Sequence, residues 1–318
     1  MFSERCTEAV TAEKENGRHL IQTWHFQTNG EYGVIQACEI FPGIRIWMND
    51  FHMHTMPHKH IENYRRIRFN YCFQGRCEVP LSDNRYVYVE KNVLSVDLNQ
   101  PGDICYAPLG SYSGIEIEMN LYQTETDSQP LFQSVGIDFM EWEKRLQKTK
   151  GTFLGTASKV WMQKAERLAE HLKQGTGSLE EYRFWTLELV FPLWRGEAGK
   201  YLEIHYLSKG QRKVAELARA RLTKDLKEHI TVEQLAKELG VGSTSLKKYF
   251  ECIYGIPISH YVREKRMEQA ARLLETTQMS IAEVAFEAGY MNQGKFGEVF
   301  RKYTGATPLE YRRQKKEG

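Results

Sequence analysis

Four histidines crowd one short stretch, His52-x-His54-x3-His58-x-His60, with Glu62 just beyond. Imidazoles at alternate strand positions can converge on zinc, iron or nickel, so the pattern raises metal binding. Pro57 interrupts the stretch, however, and neither histidine pair meets the H-x-H-x3–4-E spacing that would complete a three-ligand set. The expectation is polar loop histidines and no metal. Cys72 and Cys77 flank Gln74-Gly75, with Cys105 further on. These thiols read as small buried hydrophobes rather than a redox sensor. The chain has no G-x-S-x-G, P-loop, G-x-G-x-x-G or H-E-x-x-H motif, so neither catalytic residues nor a cofactor are expected, and the protein is not expected to be an enzyme.

The elements that position the remaining chemistry sit in a chain of 318 residues, 41% hydrophobic and 26% charged, which is globular composition. No run approaches the roughly 18 apolar residues of a membrane span. The start, Met1-Phe-Ser-Glu-Arg-Cys-Thr-Glu, lacks the apolar stretch of a secretory signal, and six cysteines without a C-x-x-C pair suit a reducing compartment. A cytoplasmic protein without membrane partners is the expectation. The net charge of +2 hides an asymmetry: residues 213–318 hold 19 Lys and Arg against 14 Asp and Glu, and the remainder 24 against 27. A basic C-terminal third on an acidic body fits one part that meets a polyanion and one that does not.

Residues 1–125 read as strands. Ile115, Ile117, Met119 and Leu121 alternate with Glu116, Glu118, Asn120 and Tyr122, the period of a sheet with one face buried. Ile67, Phe69, Tyr71 and Phe73 repeat it in 66–73, and 86–89 and 104–107 are shorter candidates. Turn clusters such as Asn99-Gln-Pro-Gly-Asp separate them, which suggests an antiparallel barrel or sandwich. Trp47, Phe51, Phe69, Tyr71, Phe73, Tyr86 and Tyr88 are candidates for its interior. Residues 131–207 read as helical. Trp161, Ala165, Leu168 and Leu172 form one stripe that stops at Gly175, and Ser178 with Glu181 makes a capping box that opens a second helix. These helices either cover the sheet or pair with a second subunit. Around Leu207 the composition turns polar, which separates a domain 1–207 from a domain 213–318.

The last hundred residues contain a repeat. Thr231-Val-Glu-Gln-Leu-Ala-Lys-Glu-Leu-Gly240 matches Ser280-Ile-Ala-Glu-Val-Ala-Phe-Glu-Ala-Gly289, each with a capping box, an apolar pair and a closing glycine. Beyond the glycines Leu246 aligns with Phe296, Phe250 with Phe300, Gly255 with Gly305 and Tyr261 with Tyr311. Each copy predicts a short helix, a turn and a second helix. Small alanine at the midpoint of the first lets the second cross closely. This is a helix-turn-helix, twice, with a long helix over 259–275 between the copies.

Arg266-x3-Ala270-x2-Leu273-Leu274, Ile281-Ala-Glu-Val-Ala285, Gly289-Tyr290, Phe296-x3-Phe300-Arg-Lys, Gly305-Ala-Thr-Pro308 and Tyr311-Arg312 resemble the signature of AraC/XylS transcription regulators. The resemblance covers 213–318. It implies two helix-turn-helix units inserting into adjacent major-groove segments of double-stranded DNA. It also implies an N-terminal cupin-like barrel that senses a small-molecule effector, followed by helices that form a homodimer. The fold class expected is therefore α+β: an N-terminal antiparallel β-barrel (cupin-like) with helices, then an all-α domain with two helix-turn-helix units.

Carried over by position, the first recognition helix begins near Gly242 and exposes Ser243, Thr244, Ser245, Lys247 and Lys248. The second begins at Asn292 and exposes Gln293, Lys295 and Glu298, with Lys302 placed to meet phosphate. Gln can read adenine, Glu can accept from cytosine, and Lys can reach guanine or phosphate, while Ser and Thr discriminate weakly. The function implied is an effector-responsive, sequence-specific transcription activator, with RNA polymerase as a further partner. The rival from another class is a cupin-type metal-dependent enzyme or metal sensor fused to a DNA-binding domain, which the histidine spacing does not support.

Overall fold

The computed structural model of the chain describes residues 21–28, 30–56, 65–81, 84–98, 105–148 and 152–317. It divides into two compact units, Met1–Tyr206 and Leu207–Gly318. The strands of the first unit are β1 (Gln22–Thr28), β2 (Glu31–Phe41), β3 (Ile44–His52), β4 (Thr55–Met56), β5 (Arg66–Pro80), β6 (Arg85–Glu90), β7 (Val93–Leu98), β8 (Cys105–Tyr106), β9 (Tyr112–Asn120), β10 (Thr152–Ala157) and β11 (Gly199–Tyr201). The antiparallel order runs β1-β2-β3-β9-β5-β7-β10-β11, with β6 beside the second half of β5, and β4 with β8 as a separate ribbon. Pro42-Gly43 makes the β2–β3 reversal, with Gly43 at φ +79°, where a side chain would be strained.

The alternation in 114–122 predicts one buried face, yet both faces of this sheet are covered. On the outer face Ile46, Phe69 and Ile117 pack against helical residues such as Trp142, Trp161 and Leu189. On the inner face Phe26, Trp47, Phe51, Cys72, Val89 and Leu154 share one core. Phe26 lies on β1 and Leu154 on β10, far apart in the strand order, so the sheet rolls to bring them together. The interior expected for Phe69 and Tyr71 is corrected accordingly. They sit on the helical side, because Phe69 is in register with Ile117 and Tyr71 with Ile115, whereas Trp47 and Phe51 point inward.

The helices of this unit are α1 (Leu121–Gln123), α2 (Gln129–Ser134), α3 (Phe139–Lys148), α4 (Lys159–Gln174) and α5 (Leu179–Arg195). Ser158 Oγ accepts from Trp161 N and Gly175 closes α4 in the left-handed region, while Ser178 and Glu181 cap α5 reciprocally. Trp161, Ala165, Leu168 and Leu172 are buried, and Trp161 Nε1 donates to Leu189 O at 3.0 Å, tying α4 to α5. The stretch expected as wholly helical, 131–207, also holds β10 and β11. Thr152–Thr156 pairs with Val93–Asp97 and so extends the sheet. Among the described residues no helix is long and apolar enough to cross a membrane.

The second unit is helical: α6 (Lys209–Lys224), α7 (Val232–Glu238), α8 (Ser243–Tyr254), α9 (Ile258–Thr276), α10 (Ile281–Glu287), α11 (Gln293–Thr304) and α12 (Pro308–Glu317).

Candidate nucleic-acid interface

Both repeat copies fold as helix-turn-helix pairs, α7–α8 and α10–α11. Thr231 Oγ1 accepts from Gln234 N at 3.1 Å and Gln234 Oε1 accepts from Thr231 N at 2.8 Å. Ser280 and Glu283 make the same exchange at 3.2 and 2.7 Å. Those hydrogen bonds hold the Glu283 carboxyl below the usual carboxylate range. Ala236 and Ala285 are buried at the helix crossings, as their small size requires. Gly240 and Gly289 turn the chain at φ +68° and +76°, and Gly255 and Gly305 end the second helices at +75° and +82°.

Leu246, Phe250, Phe296 and Phe300 are all at 0% exposure, which fixes the rotation of each second helix. The opposite side of α8 then exposes Thr244, Lys247 and Lys248 and half-exposes Ser243 and Ser245. On α11 the exposed residues are Gln293, Lys295, Glu298 and Lys302. The helix starts differ. Asn292 Oδ1 accepts from Lys295 N at 2.8 Å, while Gly242 caps α8 without a side-chain bond. Lys295 Nζ lies 3.3 Å from Glu298 Oε2, an exposed pair that water screens and that a competing anion can open. Met291, 88% exposed in the turn before α11, and Arg301 beside Lys302 complete this surface. Met291 does not stand out in the sequence, because an exposed methionine carries no periodic signal, and Arg301 appears there only as part of the Phe300-Arg-Lys signature.

The two helix-turn-helix units are clamped together through Arg266 on α9. Its Nε donates to Leu226 O at 2.9 Å and its Nη2 to Glu228 O at 3.2 Å, carbonyls of the loop that leads into α7. From the same loop His229 Nε2 meets Gly289 O at 2.9 Å, and Lys227 pairs with Glu287 at 2.7 Å. Gln269 Nε2 reaches Glu287 O at 3.2 Å. The entry to the first unit is thus bonded to the turn of the second. Gly289 is required there, since a Cβ would lie 2.4 Å from Leu226 O. The sequence contains Arg266 within its signature but gives no hint that it binds carbonyls forty residues upstream.

Of the metal-capable residues, His52 and His54 are engaged elsewhere. His52 stacks on Tyr32 with centroids 4.5 Å apart, and His54 Nδ1 lies 3.1 Å from Ala107 O. His58, His60 and Glu62 fall outside the described residues, among which no group of three His, Cys, Asp or Glu is placed to hold a metal. Cys38, Cys72 and Cys77 are buried and unbridged, and burial pushes the Cys72 thiol up to about 12, far from a reactive thiolate.

A family model described as a helix-turn-helix domain matches residues 235–314. The regulatory protein SoxS of Escherichia coli K12 is 31% identical over 83 residues, 26% of this chain and 78% of SoxS. The virulence regulon transcriptional activator VirF of Yersinia enterocolitica is 36% identical over 81 residues, 26% of this chain and 30% of VirF. The chain thus spans less than a third of VirF's length. Among solved structures, the C-terminal domain of AraT, a response regulator from Geobacillus stearothermophilus, is 33% identical, with 32% of this chain and 84% of that one covered and a TM-score of 0.31.

Proposed function

The chain belongs to the AraC/XylS family of transcription regulators, and from that premise we propose that it is a cytoplasmic, sequence-specific activator whose first unit answers to a small-molecule effector. The observation that carries the reading is the pair of exposed helix faces on α8 and α11, clamped to one another through Arg266 and the 226–229 loop. A fixed pair of heads suits two successive major-groove segments on one side of a duplex. In this reading Ser243, Thr244, Ser245, Lys247 and Lys248 chiefly position the protein, Gln293, Lys295 and Glu298 read base edges from the helix that Asn292 starts, and Lys302 meets phosphate.

A homodimer would form through α4 and α5. Phe184 and Phe191, 61% and 41% exposed, stand seven residues apart on one stripe of α5, an apolar face that supports pairing with a second copy. As an activator the protein would also meet RNA polymerase. No cofactor enters this reading.

The test is selection of genomic fragments by the full chain, followed by sequencing. The expected result is a motif of two boxes about one helical turn apart. A single uninterrupted box would refute the two-headed arrangement. Sedimentation of residues 1–206 as a monomer at micromolar concentration would refute the dimer.

A further inference from the structure

The inner face of the rolled sheet carries polar side chains that the outer helices never touch. Register places Trp47, Glu116, Asn70 and Ser95 side by side across β3, β9, β5 and β7. The adjacent row is Arg45, Glu118, Arg68, Asp97 and, on β10, Thr152. Directly opposed residues of antiparallel strands share a face, so both rows look into the roll. Side-chain exposure along the second row falls from 30% at Arg45 through 12% at Glu118 and 11% at Arg68 to 0% at Asp97. That row therefore runs from a solvent-facing edge to a closed floor, and the first row ends on the same floor at Ser95.

That floor is under-bonded. Ser95 Oγ, Thr152 Oγ1 and Asp97 Oδ1 are buried and make no hydrogen bond, although Arg68 lies 3.2 Å from that carboxylate oxygen. Native proteins leave few buried polar atoms unmade, and here three gather on neighbouring strands. The charges are also unequal. Arg45 pairs with Glu39, Arg66 with Glu118 and Arg68 with Asp97. Glu116, partly buried between Trp47 and Asn70, makes no hydrogen bond or ion pair among the described residues. Burial pushes its carboxyl above the usual range, against the attraction of Arg68 and Arg66, which are already paired with Asp97 and Glu118. Trp47 stacks on Trp24 with centroids 6.1 Å apart and supplies an apolar wall beside it.

We propose that this inner face binds a small organic cation rich in N–H donors, a primary ammonium or a guanidinium, with its charge on Glu116 and further donors on Asp97, Ser95 and Thr152. The three arginines are already paired, so an anion gains no free counter-charge, whereas one surplus carboxylate and unmet acceptors match a monocation. Glu116 and Ser95 stand two strands apart, about 10 Å, which sets the ligand's reach. The proposal rests on the reading of the first unit as a sensor.

The probes are agmatine and phenethylamine, with glucose as a neutral polyol and benzoate as an anion, titrated calorimetrically into the full chain. At least one amine should bind, and glucose and benzoate should not. Glu116→Gln, close in shape, and Ser95→Ala, which removes an unbonded hydroxyl, should each weaken amine binding at least about tenfold, while Lys144→Ala, at an exposed position of α3, leaves it unchanged. Circular dichroism verifies folding, and Ser95→Ala carries the test if Glu116→Gln unfolds. Failure of both amines to bind at millimolar concentration, equal binding of glucose or benzoate, or undiminished binding by both variants would overturn the proposal. Operator affinity measured with the bound amine separates the two readings. Binding that leaves operator affinity unchanged removes the sensor role and keeps the site. An absent site beside a two-box operator removes the site and keeps the regulator.

Discussion

The two helix-turn-helix units share a backbone plan and differ in how they are held. A Cβ on Gly240 would meet nothing within 4 Å, whereas on Gly289 it would strike Leu226 O at 2.4 Å and the Arg266 guanidinium at 3.0 Å. Of the second helices, α8 starts at Gly242, a cap without a side-chain bond, and offers short hydroxyls and two lysines. The other, α11, starts at a bonded Asn292 and offers Gln293, Lys295 and Glu298. Duplicated motifs can thus divide labour: the copy with long, hydrogen-bonding side chains is also the one whose start and turn are fixed. On the proposed reading, base contact falls to the copy whose start and turn are fixed, and positioning contact to the other.

The largest expected difference lies at the turns. Gly289→Ala should destabilise the second unit by about 3 kcal/mol, from left-handed strain plus collision with a backbone oxygen, and Gly240→Ala by about 1 kcal/mol from strain alone. All six tryptophans, residues 24, 47, 142, 161, 185 and 194, lie in the first unit. Denaturant unfolding followed by dichroism at 222 nm should therefore shift while tryptophan fluorescence stays put. Equal losses at the two glycines would break the comparison.

Next in size, Gln293→Ala should cost roughly 1–3 kcal/mol at the selected operator and relax preference at one base pair. Lys302→Ala should weaken all sequences alike and lower the salt slope by about one. Titrations against the operator, its single-base variants and unrelated DNA decide this. A Gln293→Ala loss that is the same on unrelated DNA means that this side chain reads no base.

The helix starts come third. Asn292→Ala should remove about 1 kcal/mol of stability, and Gly242→Asn should add only a few tenths, as chemical denaturation of each variant would record. Matching magnitudes would erase the distinction between the caps.

The smallest effect is one of pH. The second capping box contains Glu283, whose carboxyl is held below its ordinary value of 4.5, whereas the first contains Gln234, which does not titrate. A lowered native value means stabilisation that is present above about pH 4.5 and lost as pH falls below it. Amide exchange at Ser280, corrected for intrinsic rate, should accelerate on acidification below that point, and exchange at Thr231 should not.

The helical unit was almost wholly legible in the residues. Capping boxes, closing glycines and the Leu246, Phe250, Phe296 and Phe300 stripe are local signals, and local signals survive in sequence. The sheet was legible only in part. In β3 the order Ile44 to His52 buries residues on both sides, so no alternation marks it, and β10 lies inside a stretch dominated by helical periodicity. Glu116, Glu118, Arg68 and Asn70 alternate with apolar residues as a solvent face would, yet they line the inside of the roll. Alternation reports polarity, and only the tertiary fold decides which side is wet. The Arg266 clamp was hidden for a related reason, since its partners are main-chain carbonyls, which have no letter in a sequence.

That clamp moves a burden from protein to nucleic acid. Because Leu226 O and Glu228 O are the acceptors for Arg266, those two bonds need no particular side chain at 226 or 228 to hold the spacing of the two helix-turn-helix pairs. A rigid gauge laid on a curved, twisting duplex leaves the duplex to make up any misfit. Base pairs between the two boxes, touched by neither helix, would then be selected for how readily they bend or roll, and pyrimidine–purine steps there would be favoured by elasticity alone.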